Sequence, residues 1–270
     1  MEKLSFDSAD GTALVAWRWD ALGTVKGRVI LVHGVGEHIR RYDYVAGRLA
    51  AAGYTVLGIN LRGHGESAGK RGHIASWQNF QDDLTAAARM TGGDFFILAH
   101  SLGTLVTLDW LTQNPPGVKA VCLSAPVLGI AFPVPWWKKT AANIFSRFLP
   151  SLSMDNELED AEICSDNEVV TDYKEDPQCF HTVTPRLYTE LLATIDSVRH
   201  HSEPWPWPLQ IHVGQLDGLS SFGDIDDFYA NWDGPKEYQV WAEGRHEVLN
   251  EPFKQKVLDS IIDFFNKHQN

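Results

Sequence analysis

The stretch ILAHSLGT, residues 97–104, decides how the rest of the chain is read. An apolar run ends in His100-Ser101, with Ala99 two positions before the serine and Gly103 two after. One reading is a serine N-cap that opens a helix. The other is a serine on a cramped strand-to-helix turn, where both flanking positions must be small because strand and helix pass close together. The pentapeptide alone leaves both open, and the surrounding pattern has to choose.

Working outward, apolar runs alternate with helical patterns. KLSF and TALVAWRW flank Asp10-Gly11, a hairpin signal. RVILVH (28–33), YTVLGIN (54–60), DFFILAH (94–100) and VKAVCLSAP (118–126) read as strands, the continuous apolar ones of the kind buried in a parallel sheet. Helices are expected over Tyr42–Ala52, closed by Gly53, over Trp77–Met90, and over LGTLVTLDWLTQN up to Pro115-Pro116. From about Pro126 to Pro206 the alternation breaks into a helix-rich segment heavy in aromatics and acids. It resumes with LQIHVG, SFGDIDDFYANW, KEYQVWA and a last amphipathic helix near Pro252–Lys267. This order predicts an α/β fold, a mostly parallel, doubly wound sheet of about eight strands with right-handed crossovers. The expected organisation is one domain over residues 1–270 with a helical cap inserted at about 126–206.

Composition narrows the function classes. The 270 residues carry a formal net charge of −12, which repels nucleic acid and anionic surfaces at long range. The hydrophobic fraction of 44% and charged fraction of 21% are ordinary for a globular protein. Much of the acid lies between Asp155 and Asp176, where Lys174 is the one base, and the default reading is a solvated helical face. Three cysteines (Cys122, Cys164 and Cys179) form no regular framework and point to a reducing, cytoplasm-like compartment. The opening MEKLSFDSADG has no apolar leader pattern, and no run reads as a membrane span.

In an open α/β sheet, ligands bind beyond the carboxyl ends of the strands, where Ser101 falls. A nucleophilic serine needs a base and a group that orients the base. Eleven histidines make the presence of one uninformative, but position is telling. His246 in EGRHEVLNE follows the last expected strand, and Asp217 in HVGQLDG follows the strand before it. Taken singly, an ordinary loop histidine and a turn aspartate would be the better readings. Together with Ser101 they reach one sheet edge in the order Ser…Asp…His, the order of α/β-hydrolases. An oxyanion would need two N–H donors. Leu102 opens the helix after the serine, and Val35 lies in HGVGEH after RVILVH, where Gly34 and Gly36 let the backbone turn.

With those motifs in hand, HGVGEHIRRY (33–42), LRGHGESAGKRGH (61–73), AHSLGT, GQLDGLSS and GRHEVLNE resemble the monoacylglycerol lipase and lysophospholipase branch of serine α/β-hydrolases. SDNEVVTDYKEDPQCF resembles that branch's cap, so the likeness runs over nearly the whole chain. It implies Ser101, Asp217 and His246 as catalytic triad and Val35 and Leu102 as oxyanion donors. It also implies Glu37, Arg41 and His100 as substrate-binding residues at the polar end of the pocket. Departures are Ala99 for the first glycine of G-x-S-x-G and Thr104 for the glycine common after the elbow. His33, Arg62, His64 and Ser67 belong to active-edge loops, and scaffold hydrogen bonding is preferred to catalysis for them.

Other patterns fall short. GVGEHI lacks the third glycine of a dinucleotide fingerprint, GESAGKR has the wrong spacing for a phosphate loop, and HEVLN lacks the second histidine of a zinc motif. No Cys/His cluster has zinc spacing, so neither metal nor cofactor is expected. His200-His201 reads as an exposed helix end rather than a metal pair.

VLGIAFPVPWWKKTAANIFSRFLPSL (127–152) bears on the substrate. It carries Phe132, Trp136, Trp137, Ile144, Phe145, Phe148 and Leu149 with Lys138, Lys139 and Arg147 between them. Packing of the cap on the core is one reading; transient contact with a membrane or lipid aggregate is the other. Trp136 and Trp137 are taken as walls of an acyl tunnel. The expectation is a serine hydrolase of single-chain lipid esters, monoacylglycerols or lysophospholipids, with no obligate protein partner. The alternatives are a short-chain esterase, thioesterase or peptidase, and from another class a non-catalytic ligand receptor on the same scaffold. An aspartate nucleophile, as in a dehalogenase or epoxide hydrolase, is excluded by Ser101.

Overall fold

The computed structural model describes residues 1–131, 136–156 and 162–269. Strands β1 (Glu2–Asp7) and β2 (Ala13–Trp19) pair antiparallel around a turn in which Gly11 takes φ +78°. Then follow β3 (Gly27–Val32), α1 (Asp43–Ala51), β4 (Tyr54–Ile59) and α2 (Gln78–Met90). Next come β5 (Phe95–His100), α3 (Leu102–Leu111) and β6 (Val118–Ser124). After β6 the chain builds α4 (Trp136–Phe148), β7 (Met154–Asp155), α5 (Asn167–Glu175), β8 (Thr182–Val183) and α6 (Pro185–Arg199). It closes with β9 (Leu209–Gly214), α7 (Phe222–Ala230), β10 (Lys236–Trp241) and α8 (Lys254–Lys267).

Among the described residues, eight strands form one sheet in the order β1-β2-β4-β3-β5-β6-β9-β10. All pairs from β4 to β10 are parallel, and β2 joins β4 antiparallel. This is the α/β-hydrolase fold. The continuous apolar runs arise because both sheet faces are covered. On β3, Val29 and Leu31 pack with Val45 and Leu49 of α1 and Leu258, Ile261 and Phe265 of α8. Ile30 and Val32 face the other way, toward Phe80 and Leu84 of α2 and Leu105 and Leu108 of α3. Helix α3 is buried on every side, which explains why LGTLVTLDWL is apolar all round instead of striped.

Strand order positions the site. From β3 the chain steps to β4 on one side, then crosses to β5 on the other. The loops after β3 and β5 therefore part at the topological switch point, which leaves a crevice at the carboxyl edge.

The segment between β6 and β9 is anchored at its far end. Thr184 caps α6 by accepting the Leu187 N–H at 3.3 Å, and Pro185 fills the first helical position. Leu187, Ile195 and Val198 of α6 join the same core as α3. Helix α4 rides on α6, with Ser146 Oγ and Thr189 Oγ1 2.8 Å apart and Arg186 Nη2 donating to the Ser146 carbonyl at 2.9 Å. Its outer stripe, Trp137, Ile144, Phe145 and Phe148, is exposed. Among the described residues, no helix is long and apolar enough to cross a membrane.

Candidate active site

Ser101 follows β5 and begins the turn into α3 with φ +50° and ψ −122°. Such a backbone costs a non-glycine residue roughly 1–3 kcal/mol, and the surroundings hold it in place. The Ser101 N–H donates to the Ser124 carbonyl at 3.0 Å, and its carbonyl accepts from the Thr104 N–H at 2.9 Å and Thr104 Oγ1 at 2.6 Å. Thr104, a departure from the family's glycine, thus braces the turn. Gly103 is tightly confined: a Cβ there would lie 2.6 Å from the His33 carbonyl oxygen and 2.7 Å from that of Val32. Ala99, fully buried, sits in register between Val32 and Leu123.

The loop after β9 and the loop after β10 are stitched together, because Gln215 N–H donates to the Trp241 carbonyl at 2.9 Å and Leu216 N–H to the Gly244 carbonyl at 2.8 Å. Asp217 and His246 meet as a result. Asp217 Oδ2 lies 3.0 Å from His246 Nδ1, and His246 Nε2 lies 2.9 Å from Ser101 Oγ. The other Asp217 oxygen accepts the Leu219 and Ser220 N–H groups at 2.8 and 3.1 Å. Burial alone would push the Asp217 carboxyl up, but the His246 charge, its hydrogen bond and those amides hold it far below the usual carboxylate range. Burial would likewise depress His246, but Asp217, with Glu247 and Glu37 behind it, raises it above its ordinary 6.5. The geometry is that of a serine deprotonated by an imidazole whose tautomer a carboxylate fixes.

Around this relay lies a small cleft lined by Gly34, Val35, Glu37, His100, Ile163, Tyr173, His181, Leu219 and Glu247. Leu102 starts α3, so its N–H has no intrahelical acceptor. Val35 faces the same cleft from the loop after β3. His100 lies with its ring 5.0 Å from that of His246 and its Nδ1 3.2 Å from Ser124 Oγ. Burial first, then the neighbouring His246, lowers it to about 3, so it is neutral. Glu37 also reaches the cleft, whereas Arg41 sits one layer behind, its guanidinium taken up by Glu37 and Glu247. Trp137 is 55% exposed on α4 and is not among the lining residues; the Trp136 side chain lies outside the described residues, as do Phe132 and the side chains of Lys138 and Lys139.

Five lining residues escaped the sequence reading. Glu247 had a signal, a carboxylate beside the candidate base. Leu219 lies in the loop after β9; Ile163, Tyr173 and His181 come from the segment between β6 and β9, where Tyr173 sits on α5 and the other two lie outside any helix or strand that would set their direction. Tyr173 Oη and Phe180 N–H both donate to the Gly36 carbonyl, at 3.3 and 2.8 Å, so that segment is pinned to the Val35 loop. It is pinned to the His246 loop as well, where Glu247 N–H donates to the Ile163 carbonyl at 2.7 Å.

Among the described residues, one group could offer three metal ligands: His38, Asp176 and Cys179. Its geometry is already explained by a protein contact. His38 Nε2 pairs with Asp176 Oδ2 at 2.8 Å, and burial pushes the Cys179 thiol up to about 12.

An α/β sheet carrying a Ser-His-Asp relay at its switch point defines a serine hydrolase. The chain belongs to the family described as serine aminopeptidase, S33, whose model matches residues 23–253. It is similar to the monoacylglycerol lipase of Mycolicibacterium smegmatis, 29% identical over 273 residues that cover 98% of this chain and 96% of the relative. It is also similar to phospholipase YtpA of Bacillus subtilis, 29% identical over 258 residues, 93% of this chain and 99% of that one. The crystal structure of Paleococcus ferrophilus monoacylglycerol lipase superposes with TM-score 0.88 at 24% identity, covering 94% of this chain and 99% of the other.

Proposed function

We propose that the chain hydrolyses carboxylic esters of single-chain lipids, with monoacylglycerol as the preferred class. The observation that carries this is the Ser101–His246–Asp217 relay opening into a cleft whose charge suits a neutral head group. Ser101 Oγ attacks the ester carbonyl as His246 takes its proton, and Asp217 stabilises the imidazolium. The Val35 and Leu102 amides receive the oxyanion. His246 returns the proton to the leaving alcohol, then activates water to release the fatty acid from the acyl-enzyme.

Electrostatics separates the candidate substrates. Glu37 and Glu247 share one Arg41, so the polar end of the cleft carries an excess negative charge. That disfavours the phosphate of a lysophospholipid and suits an uncharged glycerol, placed beside the neutral His100. The ammonium of an aminopeptidase substrate would need a free carboxylate, but both lining glutamates are engaged by Arg41. We read residues 126–206 as the cap, rooted in the core by α6, with the exposed apolar stripe of α4 at its rim. Contact of that rim with aggregated lipid would deliver substrate to the cleft.

The test is fatty-acid release from a monoacylglycerol and a lysophospholipid of one chain length, with wild type and Ser101→Ala. Turnover of the monoacylglycerol exceeds that of the lysophospholipid and falls by about 10⁶-fold in the variant. Equal activity in Ser101→Ala would refute the nucleophile, and a preference for lysophospholipid would refute the head-group argument.

A further inference from the structure

Arg41 is nine-tenths buried and its guanidinium is bonded to two carboxylates of the protein. Its Nη1 donates to Glu37 Oε2 at 2.6 Å and Glu247 Oε1 at 2.7 Å, and its Nη2 to Glu247 Oε2 at 2.8 Å. The Tyr173 ring lies 4.8 Å from its guanidinium carbon, and Tyr42 Oη and Asn250 Nδ2 donate to the two glutamates, each at 2.8 Å. The two carboxylates belong to different loops. Glu37 Oε1 accepts the Gly34 N–H at 2.6 Å, next to Val35, and Glu247 follows His246 directly.

We infer that Glu37, Arg41 and Glu247 form a positioning clamp that sets the Val35 loop and the His246 loop at one fixed separation, instead of gripping the substrate head group through Arg41. Building on the serine-hydrolase reading, the clamp gives Arg41 and Glu247 roles beyond substrate contact. A bidentate guanidinium is suited to this because it fixes distance and plane together. Burying three charges is costly, and losing one partner leaves another uncompensated, so the arrangement persists only as a set. Its net negative charge also faces His246. The charged and titratable groups around that imidazole are Asp217 from the loop after β9, His100 at the end of β5, Glu37 and Arg41 beyond β3, Glu247 on its own loop, and Tyr173 and His181 from the segment above.

The discriminating experiment compares 4-nitrophenyl butyrate, which has no polar head group, with a monoacylglycerol, using wild type, Glu247→Gln, Glu37→Gln and Arg41→Lys. Thermal melts confirm folding, and the isosteric glutamine variants serve if Arg41→Lys does not fold. The clamp predicts that kcat falls on both esters by about 10²-fold, the effect of roughly 1 Å of misplacement, while KM changes little. In Glu247→Gln the acid limb of kcat/KM moves to lower pH, because loss of a negative charge destabilises the imidazolium. A KM rise confined to the monoacylglycerol, or variants indistinguishable from wild type, would overturn the clamp and leave the hydrolase reading intact. A wild-type protein that neither turns over ester nor labels at Ser101 with a fluorophosphonate would overturn the hydrolase reading, and the clamp with it.

Discussion

Ser101 is held in a left-handed backbone conformation that a non-glycine residue adopts only under constraint, and the constraint is traceable to single atoms around it. Gly103 is the most sensitive of these positions. Gly103→Ala would press a methyl group against two carbonyl oxygens of β3 and its loop. The expected cost is about 1–3 kcal/mol, typical of overpacking, and a urea melt measures it. The relay predicts a pH profile too. His246 must be neutral to accept a proton and its pKa lies above 6.5, so kcat/KM declines as pH falls through a value above 6.5. His100, at about 3, adds no second limb in that range. A profile flat down to pH 5.5 would contradict this assignment. Ala99 and Thr104, both departures from the family pattern, are accommodated by the backbone: one fits between flanking strands, the other hydrogen-bonds the elbow.

At the scale of elements, the loop after β4 shows how polar residues hold the active edge without touching the reaction. Ser67 Oγ donates to the Asn60 carbonyl at 2.7 Å and accepts the Val15 N–H at 2.9 Å, and His33 Nε2 accepts the Leu61 N–H at 3.1 Å. Arg62 pairs with Asp83 of α2 through Nε at 2.8 Å and Nη2 at 2.6 Å, and with Asp10 at 2.8 Å. Asp83 is 1% exposed, so Arg62→Met strands a buried carboxylate. The predicted loss is about 3–5 kcal/mol; denaturant unfolding that shows less than 1 kcal/mol would mean the network is dispensable. These hydrogen bonds fit the scaffold reading of His33, Arg62 and Ser67, which rested on their place in strand-to-helix loops. Their partners were not, since Asp83 and Arg62 meet only when α2 folds back over the sheet.

For the molecule as a whole, the contrast between a packed sheet and an apolar stripe left outside it bears on how substrate arrives. Phe148 is 72% and Leu149 52% exposed at the end of α4, while Ser146 faces α6. Replacing Phe148 and Leu149 with serine should leave activity on dispersed 4-nitrophenyl butyrate unchanged and lower it on emulsified monoacylglycerol. A parallel loss on both would show that the stripe supports folding rather than lipid contact. Strand–helix alternation carried the α/β architecture, because burial on both sheet faces writes itself into apolar runs. The order of Ser101, Asp217 and His246 along those runs carried the relay for the same reason: each follows a strand whose carboxyl end is fixed by the fold. What the tertiary structure alone decided is which way side chains turn outside periodic elements. It withdrew Arg41 behind Glu37 and brought Glu247 and His181 to the cleft. Those outcomes depend on contacts between segments distant in the chain, and loops without a period of 2 or 3.6 carry no local record of the face they present.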